Sequence, residues 1–136
     1  MAVTIRKITK QQVWEIRHQV MWPDKDLDYI KLKEDDSAEH FGLFAQGRLI
    51  SIISLFIQNN DCQFKFATIQ QEQGKGYGSK LLNYVIKEAK LEGVNKIWCN
   101  ARENKINFYK KFGLHETNNR FVKGDRNYVI MEMKCN

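Results

Sequence analysis

The chain is poor in cysteine and proline, and it has no long apolar run. Cys62, Cys99 and Cys135 are odd in number and show no CxxC spacing. That pattern argues against a disulfide framework or a zinc site and fits a reducing cytoplasm. One proline and eight glycines among 136 residues, with 43% apolar residues, exclude a disordered or low-complexity chain. No apolar stretch approaches the roughly 18 residues of a membrane span. The N-terminus, Met-Ala-Val-Thr-Ile-Arg-Lys, lacks the apolar core of a signal peptide. The length suits one domain, residues 1–136, with a real core.

Charge is present in quantity but unevenly spread. The net charge is +6. From Gln73 to Gly113 there are nine Lys or Arg against three Glu, whereas Asp24 to Glu39 holds seven Asp or Glu against three Lys. The basic block suits an anionic ligand. The acidic block either attracts a cationic substrate or is simply a solvated face. A nucleic-acid-binding domain is disfavoured, because the basic residues cluster around one glycine loop and no aromatic-basic RNA motif is present.

That loop, Gln71-Glu-Gln-Gly-Lys-Gly-Tyr-Gly-Ser79, is the most informative stretch. Gly74, Gly76 and Gly78 alternate after an apolar run, Phe64 to Ile69, and before an amphipathic one, Lys80 to Leu91. Strand, glycine loop and helix make a candidate phosphate cradle, since glycine leaves backbone N–H groups unscreened and the helix directs its positive end there. A Walker loop is excluded because Ser79 precedes Lys80. A dinucleotide-binding loop fails on its GxGxG spacing and on the next strand, which ends Trp98-Cys99-Asn100 without a carboxylate.

The remaining pattern predicts further elements. Strands are expected at Val3–Ile8, His40–Ala45, Leu49–Ile57, Cys62–Ile69, Val94–Asn100, Leu114–Val122 and Tyr128–Met133. A helix over Lys10–Met21 starts at the capping box Thr9-x-x-Gln12, and another covers Glu103–Phe112. Asp24–Ser37 reads as a loop or a short irregular helix. The fold class is therefore α/β (α+β type), with a mixed, mostly antiparallel central sheet of about seven strands flanked by helices.

Gln71-x-x-Gly74-x-Gly76 resembles the Q/R-x-x-G-x-G/A signature of the GNAT family, the Gcn5-related N-acetyltransferases. Asn104-Lys-Ile-Asn-Phe108-Tyr109-Lys-Lys-Phe-Gly113-Leu114 is similar to the family's N-x-x-x-F-Y-x-x-x-G-F/L segment, on the element where the family carries it. The resemblance implies the GNAT acyl-CoA N-acyltransferase fold and an acetyl-CoA cosubstrate without a metal. It places acetyl-CoA in a V-shaped opening between the fourth and fifth strands. Carried onto this chain, the backbone of Gln73, Gly74, Lys75, Gly76, Tyr77, Gly78 and Ser79 would hold the pyrophosphate. Ala67 and Thr68 would pair with the pantetheine arm, Asn104 would bond it from the other side, and Phe108 would lie along it. Tyr109 matches the residue that protonates the departing thiolate.

Acyl transfer suits these residue types. Backbone N–H donors stabilise a tetrahedral oxyanion, and a phenol of pKa about 10 can protonate a thiolate within hydrogen-bond reach. The expected reaction is direct attack by a primary amine in a ternary complex. The partners are acetyl-CoA and that amine, with no nucleic acid and no membrane; homodimers are common in the family. The family's glutamate base is missing from the fourth strand. Asp61, Glu72, His40, a carboxylate of Asp24–Glu39 and an ordered water chain are the open alternatives. A non-catalytic acyl-CoA-binding module of the same fold is the competing reading. Asn104 could also cap the helix near Glu103, Cys99 reads as a small buried hydrophobe, and His18 and His115 read as surface or packing residues.

Overall fold

A computed structural model describes residues 2–135. The strands form a seven-stranded sheet in the order β1-β2-β3-β4-β5-β7-β6. By its contacts the chain divides into two compact units. The first comprises residues up to Phe56 together with Lys65–Lys87; the second comprises Ile57–Phe64 and the chain from Glu88 onward.

In the first unit β1 (Val3–Lys7) pairs antiparallel with β2 (Glu39–Ala45), which pairs with β3 (Arg48–Gln58). Gln46 and Gly47 both take positive φ, 55° and 75°, the geometry of a tight hairpin turn. Helix α1 (Lys10–Met21) begins where the sequence predicts. The Gln12 N–H donates to Thr9 Oγ1 at 3.2 Å, and the Thr9 N–H donates to Gln12 Oε1 at 2.9 Å. The stretch expected as a loop contains a short helix, α2 (Leu27–Ile30), and a 3-10 turn at Lys33–Asp36. The core is Phe41, Leu43, Ile50, Ile52, Ile53, Leu55, Ile69, Leu81 and Leu82, all essentially inaccessible. Burying each such side chain contributes about 1.5–3 kcal/mol.

β4 (Asp61–Thr68) follows a second positive-φ turn, at Asn59 and Asn60. Helix α3 (Tyr77–Leu91) starts three residues earlier than Lys80, where the amphipathic pattern begins. The Lys80 N–H donates to the Gly76 carbonyl at 3.2 Å, so the glycine loop feeds directly into the first turn. Gly93, at φ 78°, follows the helix as the left-handed residue the sequence predicts.

The second unit is built on β5 (Lys96–Arg102), whose strict alternation buries Ile97, Cys99 and Ala101. β7 (Arg126–Lys134) runs antiparallel to β5, from Lys96 opposite Lys134 to Arg102 opposite Tyr128. β6 (His115–Lys123) pairs antiparallel with β7 at the sheet edge. The long helix expected over Glu103–Phe112 is instead a 3-10 turn, Glu103–Lys105, followed by a short α4 (Ile106–Lys110). Lys105, at φ −111° and ψ 6°, interrupts the helical backbone between them.

Candidate active site

Gly74 and Gly76 sit at φ 81° and 85°, a region that L side chains rarely adopt, and a Cβ on either would meet nothing within 4 Å. They are kept glycine by conformation, and open space lies over their backbone. Gly78 differs. A Cβ there would come within 2.7 Å of the Phe66 ring and 3.1 Å of Thr68 Oγ1, so this glycine lets α3 pack closely on β4. Gln73 Nε2 donates to the Thr68 carbonyl at 3.0 Å and ties the loop to the strand. The loop backbone and the first turn of α3, with its unsatisfied N–H groups, form a cradle that suits a pyrophosphate. Lys75 pairs with Glu72 at 3.1 Å.

Ala67 and Thr68 are buried at the end of β4. The Ser51 hydroxyl lies 2.7 Å from Thr68 Oγ1 and 3.3 Å from the Ala67 carbonyl. The Ile69 N–H donates to Ile50 O of β3 at 2.9 Å. Alternation along an extended chain turns the Thr68 backbone groups the other way.

The other sequence-predicted residues lie in the second unit. The parallel β4–β5 ladder consists of Asp61–Lys96, Cys62–Ile97 and Gln63–Trp98, and it stops there although β5 runs on to Arg102. Tyr109 is 8% exposed and packs its ring 5.9 Å from Phe64 and 5.2 Å from Phe108. Burial pushes its phenol far above the ordinary range, Cys99 adds to that, and the Arg102 charge opposes it. The phenol is therefore an O–H donor throughout the physiological range. Phe108 is half-buried between Tyr109 and Phe112. Asn104 does not cap α4: the N-cap position falls on Lys105, and no side-chain cap bond forms.

Asn104 instead lines a cavity of about 380 Å³ with Arg102, Glu103, Arg126 and Asn127. Sequence reasoning singled out only Asn104 of this group. The others are brought together by the β5–β7 register, which no local pattern reveals.

Several residues considered as the base are already engaged. His40 is buried, with Nδ1 2.7 Å from Ser54 Oγ and Nε2 2.9 Å from the Asp35 carbonyl. Asp35 is enclosed by Arg17, which reaches it with both guanidinium nitrogens at 2.8 and 3.1 Å, by the Trp14 indole N–H at 2.8 Å and by the Leu32 N–H at 2.9 Å. Burial alone would raise this carboxyl, but those hydrogen bonds outweigh it and hold Asp35 below the ordinary carboxylate range. Asp36 pairs with Lys10, Asp28 with Lys31 at 3.0 Å and Glu39 with Lys7 at 3.1 Å. Much of the acidic segment is thus neutralised within the chain. Glu72 faces both Lys75 and Arg48. Asp61 opens β4 across from Lys96, a strand's length before the glycine loop.

The strand order, the glycine loop before α3 and the aromatic turn after β5 define a class of CoA-dependent acyltransferases. The model of the acetyltransferase (GNAT) family matches residues 9–114. The chain belongs to that family and is an acetyl-CoA-dependent N-acyltransferase. It is 29% identical over 138 aligned residues to the uncharacterized N-acetyltransferase YitI of Bacillus subtilis (strain 168), covering 93% of each chain. Among solved structures it resembles the ribosomal-protein-S18-alanine N-acetyltransferase of Escherichia coli, with a TM-score of 0.80 at 17% identity, covering 98% of this chain and 94% of that one. It also resembles a GNAT family acetyltransferase of Elizabethkingia anophelis with acetyl-CoA bound, at a TM-score of 0.77 and 18% identity, covering 97% of each. Among the described residues, no helix is long and apolar enough to cross a membrane.

Proposed function

We propose that this enzyme moves the acetyl group of acetyl-CoA to a primary amine of a small-molecule acceptor, by direct attack in a ternary complex. The observation that carries the reading is the loop at Gly74 and Gly76, left-handed and open above its backbone, leading into the N-terminus of α3. In this reading the backbone of Gln73 to Ser79 holds the pyrophosphate. Thr68 bonds the pantetheine arm through its main chain with Ala67 beside it, Asn104 bonds it with its amide, and Phe108 lies along it. Acetyl-CoA supplies the thioester that the amine attacks. Tyr109 donates its O–H to the sulfur as negative charge develops there, and its burial keeps that proton available. The positive charge of Arg102 makes the phenol a better acid than burial alone would leave it. The amine proton leaves through ordered water, because most of the side-chain candidates are tied up. The family match runs through both compact units, which we take as one catalytic domain. The cysteines are thiols, with Cys62 and Cys99 buried, which favours the cytoplasm.

Thiol release from acetyl-CoA over a diverse amine library tests the transfer. Tight acetyl-CoA binding with no consumption across the library would favour the binding-module reading instead. For Tyr109, the Tyr109→Phe variant should bind acetyl-CoA as before and lose turnover; unchanged turnover removes its role.

A further inference from the structure

We propose that the acceptor amine carries an anionic group, in the first instance a carboxylate, and that Arg102 and Arg126 grip it in the cavity they share. The acceptor half of this statement rests on the acetyltransferase reading; the anion site does not.

Arg102 ends β5 and Arg126 begins β7. Arg102 stands opposite Tyr128 in the register, so Arg126, two residues before Tyr128, is its diagonal neighbour on the same face of the ladder. Both are half-buried and both line the cavity. Two like charges lining one cavity repel each other, and partial burial strengthens the repulsion. An anion between them reverses its sign. A guanidinium fork also matches the two oxygens of a carboxylate or phosphate. The cavity's carboxylate, Glu103, faces Arg120 at 3.9 Å. Two arginines against one glutamate leave the lining with a net positive charge. Asn127 adds amide N–H donors. A volume of about 380 Å³ suits a small metabolite. Arg102 lines the cavity, and its positive charge also acts on the Tyr109 phenol.

An anionic group could come from the acceptor or from the 3′-phosphate of CoA, and the test separates the two. The arginine Nε–H signals of the full-length protein are followed by NMR while succinate is added, with succinamide as control. The Arg102→Gln and Arg126→Gln variants assign the two signals. Saturable shifts at both arginines with succinate, and none with succinamide, are expected. Turnover is then measured for amino acids beside their amides. The acids should be preferred by tenfold or more in kcat/KM, and either variant should bring the ratio close to one through the acceptor KM. The absence of succinate shifts overturns the site, and amides used as well as acids overturn the acceptor class. A loss that falls on the acetyl-CoA KM, and disappears with 3′-dephospho-acetyl-CoA, assigns the arginines to the cosubstrate and overturns the proposal. Succinate shifts without turnover of any amine would sink the transfer reading while supporting the anion site.

Discussion

Arg17 and Arg102 carry the same guanidinium in opposite settings. Arg17 leaves α1 and enters a buried network in which the chain supplies its neighbours: Asp35, the Ile30 carbonyl and Ser54 Oγ. Its side chain is 3% exposed and that of Asp35 is 0% exposed. Arg102 leaves the end of β5 at the wall of a cavity, and among the described residues no carboxylate pairs with it. A cation whose anion is built into the chain is part of the architecture. A cation that lines a cavity together with a second arginine can meet an anion that arrives from outside. The comparison bears on the acceptor too, because the acidic segment that first suggests a cationic substrate spends Asp28, Asp35, Asp36 and Glu39 on internal pairs.

The contrast breaks most visibly in stability. Arg17→Met strands Asp35 in the interior and should cost about 3–5 kcal/mol, read from urea midpoints; a loss under about 1 kcal/mol would mean the pair is not structural. Tyr109→Phe should lower kcat by roughly 10² to 10³ while leaving the acetyl-CoA dissociation constant unchanged, by stopped assay and calorimetry. Gly78→Ala forces a methyl against Phe66 and should cost about 1–3 kcal/mol, measured by thermal unfolding. Asp35 titrates below its unfolded value of about 3.9, so its contribution is complete above that pH and is lost as the pH falls through the folded value. The urea midpoint of the wild type should therefore drop on acidification below about pH 4, and Asp35→Asn, weaker overall, should show a flatter acid limb. The smallest effect is expected at Arg102→Gln, which should change stability by no more than about 0.5 kcal/mol. A large loss there would make Arg102 architectural as well and erase the contrast.

Much of the fold is legible in the sequence because its signals are local. The Thr9–Gln12 box, the Gln46-Gly47 turn, the alternation of β5 and the left-handed Gly93 each depend on a few neighbouring residues. The failures are also local in cause. Lys105 breaks a helix whose apolar spacing runs on past it, and α3 starts on glycine-loop residues that carry no amphipathic signal. Of the site, the glycine loop and the Asn104–Gly113 segment can be read because each is contiguous. The partnership of Arg102 with Arg126 cannot, since it exists only once β7 returns alongside β5. The burial of His40 between Ser54 and Asp35 is hidden for the same reason.

The network around Arg17 also has a sense of direction. The Asp35 carbonyl can only accept, so His40 Nε2 must carry a hydrogen, and Arg17 can only donate, so Ser54 Oγ receives from it beside His40 Nδ1. Together with the Trp14 indole N–H on Asp35, this places two hydrogen-bonded ring protons under the α1–β2 connection. Their solvent-exchange rates should report any opening of that segment, separately from the backbone amides of the sheet.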